Sequence, residues 1–423
     1  MSERIDLLAD LEYRGLIYQV TDREGLEKKL KEERIVLYTG FDPTADSLHI
    51  GHLLPVLNLR RFQLAGHVPI ALVGGATGLI GDPSGRSSER SLNTADTVAE
   101  WTERLKGQLK RFIDFDEKGE RAKLVSNYDW IATLDVISFL RDVGKNFTVN
   151  YMLAKDSVDS RLANGISFTE FSYMILQAYD FYQLHKTHGC TLQVGGSDQW
   201  GNITAGLDLI GKMGGSGAFG MTVPLVTKSD GKKFGKTESG AIWLDRTKTS
   251  VYQFYQFWIN TDDSDVVKFL KYFTFLSPAE IGALEAEVRD NAHKRIAQRE
   301  LAREVTRLVH GAEAVESAEK ITAALFSGDF AALNEEDLAE ALADMPKTKL
   351  EKQPSIGIVD LAVAVQAAPS RRQAKQDADS GALHVNGAKI AGSDAVVTQE
   401  MLLHGKYAIV RRGKKNYYVA EFE

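Results

Sequence analysis

The feature that most constrains this chain is the tetrapeptide His49-Ile50-Gly51-His52 and its place between two apolar runs. Ile35-Val36-Leu37-Tyr38 precedes it as a strand pattern. The loop Gly40-Phe41-Asp42-Pro43-Thr44-Ala45-Asp46-Ser47 intervenes, and Leu53 to Leu64 follows as a helix pattern. This order predicts a strand, a polar loop and a helix N-terminus, with Ser47 as the cap. A helix start presents unpaired backbone N–H groups and positive dipole potential, so an anion binds there. His49 and His52, three apart, share a helical face, and Gly51 lets a ligand approach the backbone. The site suits a polyphosphate, although a His-x-x-His pair by itself also suits a structural role. A metal is disfavoured, because no carboxylate follows in a zinc-protease arrangement and Cys190 is the only cysteine.

The alternation continues from residue 30 to about 225. Ile35 to Tyr38, Ile70 to Val73, Leu124 to Ser126 and Leu192 to Val194 are strand-length apolar runs separated by amphipathic stretches. Such alternation predicts an α/β fold with a doubly wound parallel sheet, Rossmann-like, with ligands at the carboxyl ends of the strands. We expect this catalytic domain at 1–225, with a helical insertion at about 110–160. Residues 226–325 are expected to form a lysine-bearing loop and an all-helical domain, in which Ser277-Pro278-Ala279-Glu280 is a capping-box start. Residues 326–350, acidic from Asp329 to Asp344 and bearing Pro346, are expected as a linker or short helix between domains. Residues 351–423 form a small α+β unit.

The 423 residues are 43% apolar and 26% charged, as in a globular protein. No apolar run approaches the roughly 20 residues of a membrane span, and the charged start Met1-Ser2-Glu3-Arg4 has no export-signal core. A single cysteine fits a reducing cytoplasm, and Cys190 is expected as a packed residue. Net charge is −7, so indiscriminate nucleic-acid binding, including DNA, is not expected. Residues 351–423 nevertheless hold 10 Lys/Arg against 8 Asp/Glu, whereas residues 1–350 hold 41 against 50. Arg371, Arg372, Lys375, Arg411, Arg412, Lys414 and Lys415, interleaved with Tyr407, Tyr417 and Tyr418, give that tail an RNA-binding composition.

A second motif lies far downstream. Lys233-Phe234-Gly235-Lys236-Thr237 places two lysines around a glycine in a polar loop. With the first motif it resembles the paired signatures of class I aminoacyl-tRNA synthetases, whose second motif is ideally KMSKS. Tyr173, Gln177 and Asp180 stand at i, i+4 and i+7 on one face of a helix, a polar stripe that either meets solvent or lines a pocket. With residues 38–52, Gly-Leu-Ile-Gly-Asp-Pro-Ser-Gly (78–85) and Gly-Gly-Ser-Asp-Gln-Trp-Gly-Asn (195–202), the chain resembles the bacterial tyrosyl-tRNA synthetases over essentially its whole length. The tail resembles a module shared with a ribosomal small-subunit protein.

The resemblance implies ligation of tyrosine to tRNA(Tyr) by way of tyrosyl-adenylate. Tyr38 and Asp180 would hydrogen-bond the substrate phenol; Asp82, Tyr173 and Gln177 would hold its ammonium group, with Gln199 near the carboxylate. Thr44 and His49 would act on the ATP γ-phosphate, and His52 and Asp198 would contact ribose or nearby groups, within an ATP site of Gly40, Asp42, His49, Gly51, His52, Asp198 and Lys236. Lys233, Lys236, Thr237, Arg86 and Arg90 would meet the pyrophosphate, while Ser87 replaces a lysine frequent in relatives. Mg²⁺ would arrive on ATP, with no protein-bound metal or prosthetic group. A cytoplasmic homodimer is implied, joined through the 110–160 region, where Trp130, Ile131, Val136, Phe139 and Leu140 lie. Tryptophanyl-tRNA synthetase, a nucleotidylyltransferase and a non-charging RNA-binding paralogue are the alternatives. The tail is expected to be removable near Lys349.

Overall fold

The structure, a computed structural model, describes residues 6–423 apart from 86–87, 163–164, 230–233, 238–239, 344 and 414–415. It divides into two compact units, Met1–Thr249 with Phe257–Val309, and Ser250–Gln256 with His310–Glu423.

The first unit is built on a six-stranded sheet of β1 (Gln19–Val20), β2 (Val36–Phe41), β3 (Val68–Val73), β4 (Lys123–Ser126), β5 (Cys190–Gly196) and β6 (Phe219–Val223), in the order 1-6-5-2-3-4. β2 to β6 are parallel and β1 adds antiparallel to β6. Leu37, Tyr38, Ile70, Leu72, Leu192 and Val194 are buried, so the central strands read as apolar runs instead of alternating. The four expected strands are present; β1 is too short, and β6 too close to the following loop, to stand out as runs. The chain winds from β2 toward β4 on one side and from β5 toward β6 on the other. The crevice at the carboxyl ends of β2 and β5 is therefore the topological switch point.

Three helices frame that crevice. α1 (Ile50–Leu64) follows β2 and buries Ile50, Leu53, Val56, Leu57 and Phe62. α2 (Phe168–His188) starts where Ser167 accepts the Glu170 N–H at 3.2 Å and ends at Gly189, whose φ of +61° suits a residue without a Cβ. α3 (Trp200–Lys212) follows β5. The 110–160 stretch contributes β4 to the sheet and then a series of short helices from Tyr128 onward. Backbone of the second motif forms a two-stranded hairpin, β7 (Lys236–Thr237) with β8 (Gly240–Ala241).

The expected capping box is present: Ser277 N–H donates to Glu280 Oε2 at 2.8 Å and Glu280 N–H to Ser277 Oγ at 3.3 Å. The helices after 250 are not one body, however. Those within Phe257–Val309 belong with the parallel sheet, while Ala312–Ser327 belongs with the C-terminal unit.

Residues 326–350 hold the expected short helix, Glu335–Ala341, but depart from a linker in also holding β9 (Lys347–Leu350), which pairs parallel with β11 (Asn416–Phe422). β10 (Tyr407–Arg412) pairs with β11 on its other side. Period-two alternation along this sheet explains why the acidic stretch is ordered. Ala408 and Val410 face one core, with Leu361 and Ala374, while Tyr407, Ile409 and Val419 face another, with Phe330, Leu338 and Leu342. Those interspersed apolar residues, not the acidic ones, decide the segment's fate.

A chain ended at Lys349 therefore strips the cover from Phe330, Leu338 and Leu342, and the expected clean removal of the tail does not follow. Such a truncation should elute partly as aggregate on size exclusion and bind an apolar-surface dye several-fold more than the full chain. A monodisperse, dye-silent product would contradict this packing.

Candidate active site

The start of α1 differs from its expected form in an informative way. His49, not Ser47, is the cap: Gly51 N–H donates to His49 Nδ1 at 3.0 Å, and His49 N–H donates to His52 Nδ1 at 3.2 Å. The two rings lie 3.9 Å apart. Ser47 is buried beside Gln108 instead, its hydroxyl accepting from Gln108 Nε2 at 3.0 Å. The cap moves because Leu48 to Ile50 pair with the strand-like segment after the hairpin. Leu244 N–H donates to Leu48 O at 2.9 Å, and Ile50 N–H donates to Ile242 O at 3.0 Å. With His52 N–H on His49 O at 2.8 Å, the Ile50, Gly51 and His52 amides are all engaged. The donors here are thus imidazoles instead of a bare amide cradle. Each Nδ1 accepts a backbone N–H, so each neutral ring carries its proton on Nε2. Burial, with His49 and Arg90 nearby, lowers His52 to about 3 and keeps it neutral. Gly51 makes room for the cap: a Cβ there would stand 2.7 Å from His49 Cε1.

The second motif is anchored by its odd residue. Phe234, where the family signature has Met, stacks on Phe273 at 5.2 Å and meets Phe257, Trp258 and Phe269 edge-on or tilted. Gly235, at φ +79°, sits where a Cβ would lie 2.8 Å from Ile50 Cγ1. Hairpin and helix start are thus packed as one piece. Lys236 and Thr237 are placed by backbone, while Lys233, Arg86 and Ser87 lie outside the described residues.

A cleft of about 280 Å³ opens at the switch point. Tyr38, Gly40 and Asp42 reach it from β2 and the loop beyond, with Thr44 at an exposed edge. Gly51 and His52 line it from α1; Tyr173, Gln177 and Asp180 from α2; Asp198 and Gln199 from the loop after β5; Asp82 and Arg90 complete it. The polar stripe of α2 therefore lines a pocket.

At its deep end, Tyr38 is 1% exposed and its hydroxyl has no hydrogen-bond partner among the described residues. Burial, with Asp180 and Cys190 adding, pushes this phenol well above its usual range, so it remains a donor. Asp180, also buried, accepts from Trp130 Nε1 at 2.8 Å and Asn127 Nδ2 at 3.0 Å. Burial raises its carboxyl to about 8 against the pull of those two donors. Tyr173 OH donates to Asp42 Oδ2 at 2.7 Å, and Thr77 Oγ1 to Asp42 Oδ1 at 2.7 Å. Gln199 Nε2 donates to Asp82 Oδ2 at 2.8 Å, and Gln177 Nε2 to Gln199 Oε1 at 3.2 Å. Asn202 Nδ2 bridges the Gln177 and Gln199 carbonyls, each at 3.1 Å.

Sequence reasoning missed Asn127 and Thr77, gave Asn202 no role within the 195–202 motif, and read Trp130 as part of the dimer-forming region, whereas its indole N–H donates to Asp180; all four position the wall. Asn127 immediately follows β4, at the carboxyl end of a parallel strand, and that location was its available signal. In the tail, Arg371 pairs with Asp360, while Arg372 and Lys375 are exposed. Arg412 is drawn into the fold by Asp377 at 2.8 Å. Arg411 Nε is buried, and Lys414 and Lys415 lie outside the described residues.

A family model described as "tRNA synthetases class I (W and Y)" matches residues 30–327, and one for the "Tyrosine--tRNA ligase SYY-like C-terminal domain" matches 337–420. The chain is 60% identical to a "Tyrosine--tRNA ligase" of Geobacillus stearothermophilus, across 99% of this chain and 100% of that protein. The chain belongs to the tyrosine–tRNA ligases of class I. Identity and coverage are the same for the relative from Bacillus caldotenax. A C-terminally truncated mitochondrial tyrosyl-tRNA synthetase from Aspergillus nidulans superposes with TM-score 0.68 at 34% identity, over 77% of this chain and 95% of that one. Membership in this ligase family leaves the nucleotidylyltransferase alternative without support.

The His52 half of this capping box carries a pH signature. The folded ring stays neutral while the unfolded chain takes a proton below a pH of about 6.5. Its contribution is present above that pH and is lost as pH falls toward 3. His52→Asn should cost about 1 kcal/mol near neutrality, and the gap from the parent should narrow by about pH 4.5. Thermal melts of both proteins across that range check this, and a gap that widens toward acid would contradict it.

Proposed function

We propose that the cleft binds L-tyrosine with its phenol between Tyr38 and Asp180, and that the chain activates it with ATP before transferring it to tRNA(Tyr). The observation that carries this reading is the buried, unpartnered Tyr38 hydroxyl facing a cleft shared with the Asp180 carboxyl. A phenol supplies the partner that the Tyr38 hydroxyl lacks and adds a further contact to the Asp180 carboxyl, whereas phenylalanine leaves the buried Tyr38 hydroxyl unpaired, at a cost of about 1–3 kcal/mol. Asp82, Tyr173 and Gln177 then face the ammonium group, and Gln199 lies beside them, toward the carboxylate. The tryptophan alternative is disfavoured because indole would present its N–H at a different place from the phenol.

ATP lies over the start of α1, with Mg²⁺ carried on its phosphates. The tyrosine carboxylate is ionised at neutral pH and attacks the α-phosphate in line, without a general base. The Nε2–H groups of His49 and His52, Thr44, Arg90 and the lysines of the hairpin segment stabilise charge on the departing pyrophosphate. Asp198 contacts the ribose side. Attack by a terminal ribose hydroxyl of tRNA completes the reaction, with the tail's exposed basic residues contributing to RNA binding.

Tyrosine-dependent ATP–pyrophosphate exchange tests the pocket. Tyr38→Phe and Asp180→Ala should each lower the preference for tyrosine over phenylalanine by about tenfold to hundredfold. An unchanged preference in both would refute the assignment.

A homodimer working in the cytoplasm fits the same reading. Val136, Ile137, Leu140, Val149 and Phe168 are more than half exposed in the single chain, an apolar surface that a second copy would cover. Sedimentation equilibrium at micromolar concentration should give a dimer, and Ile137→Asp should shift it toward monomer. A parent protein that sediments as a monomer would overturn this part.

A further inference from the structure

Glu170 does not line the cleft, yet it is the most completely buried carboxylate near it. Its side chain is 1% exposed and its partner, that of Arg161, 3%. The two carboxylate oxygens do different work. Oε2 faces Arg161 Nη2 at 2.9 Å, while Oε1 accepts the main-chain N–H of Arg90 at 3.2 Å. Arg90 in turn donates from Nε to the Asp82 carbonyl at 3.2 Å. Its stem packs over Gly81, where φ is +91° and an added Cβ would lie 2.9 Å from Arg90 Cδ. A buried charge on the helix Asp156–Leu162 is thus linked, through one carboxylate and two main-chain groups, to Asp82 in the cleft wall.

Stability does not account for this pair. A fully buried ion pair is about neutral against an apolar pair of similar volume. This one is also incompletely satisfied: Arg161 Nε and Nη1 have no hydrogen-bond partner among the described residues, and Glu170 Oε2 meets Arg161 as an ion pair without a well-formed hydrogen bond. What Arg161 does is hold the Glu170 carboxyl oriented, so that Oε1 accepts from a single backbone amide.

We infer that Glu170, held by Arg161, is a positioning residue that sets Asp82 and Arg90 for amino-acid binding; this rests on the reading that Asp82 receives the substrate ammonium group. Releasing Arg90 loosens the ammonium end of the pocket and leaves the Tyr38–Asp180 end in place. The loss of amino-acid affinity is therefore selective for ligands bearing an ammonium group, while any effect of Arg90 on the pyrophosphate falls on kcat.

The test uses the full chain, pyrophosphate exchange, and 3-(4-hydroxyphenyl)propionate, which keeps the phenol and carboxylate and lacks the amine. Arg161→Met combined with Glu170→Met removes both charges and the acceptor. This variant should melt close to the parent, raise the tyrosine KM about tenfold, and leave the tyrosine-over-phenylalanine preference and inhibition by the des-amino analogue unchanged. Arg161→Met combined with Glu170→Gln restores an acceptor for Arg90 and should recover most of the KM. If the first variant does not fold, Glu170→Gln alone should raise the tyrosine KM about threefold with the same selectivity. A native KM in a folded acceptor-free variant, equal weakening of the des-amino analogue, or no recovery with glutamine would overturn the proposal. Asp82→Asn separates the two levels. A tyrosine KM unchanged in Asp82→Asn overturns the ammonium reading itself, whereas a raised KM there with a native KM in the Glu170 variants overturns only the positioning role.

Discussion

Much of this structure depends on one short backbone junction, the pairing of Leu48 and Ile50 with Ile242 and Leu244. It holds the chain extended through His49 and so delays the helix to Ile50. The amides of the first turn are consumed, and the His52 imidazole is left to line the cleft. The same junction brings the second motif, some 190 residues distant in sequence, against the first, with Gly235 packed on Ile50. A helix start with free amides would bind any anion. A helix start capped by histidines would bind one only where an Nε2–H group points, and the His52 ring would do so while neutral.

The deep end of the cleft uses burial as its main instrument. Excluding water raises the Asp180 carboxyl to about 8 and keeps the Tyr38 phenol protonated. Asn127 and Trp130 oppose the cost by donating to Asp180, fixing both oxygens in direction. On the proposed assignment, selectivity would arise because the buried Tyr38 hydroxyl is costly to leave unpaired, a stronger discriminator than the shape of an apolar slot.

The parallel strands were legible because burial on both faces writes them as apolar runs, and the α2 stripe because three polar residues at helical spacing interrupt apolar neighbours. Ser47 misled because capping preference is a local rule, while the competing pairing partner lies at residues 242–244. Residues 326–350 misled for the opposite reason: charge dominated the reading, whereas Phe330, Leu333, Leu338 and Leu342, spaced among the acids, bury against a sheet formed far downstream. Asn127, Trp130 and Glu170 were illegible because their roles exist only through tertiary neighbours. No motif encodes a residue whose task is to hold another.

The unpartnered Tyr38 hydroxyl has a thermodynamic corollary. On the proposed assignment, free tyrosine is the missing piece of the protein's own interior, completing a hydrogen bond that the apo fold leaves open. A ligand of that kind binds the folded chain and not the unfolded one, and a hundredfold excess over its dissociation constant adds about 2.7 kcal/mol of stability. The amino acid this ligase consumes is thereby also a folding ligand. The abundance of intact enzyme would rise and fall with the supply of its substrate, before any regulation of its synthesis.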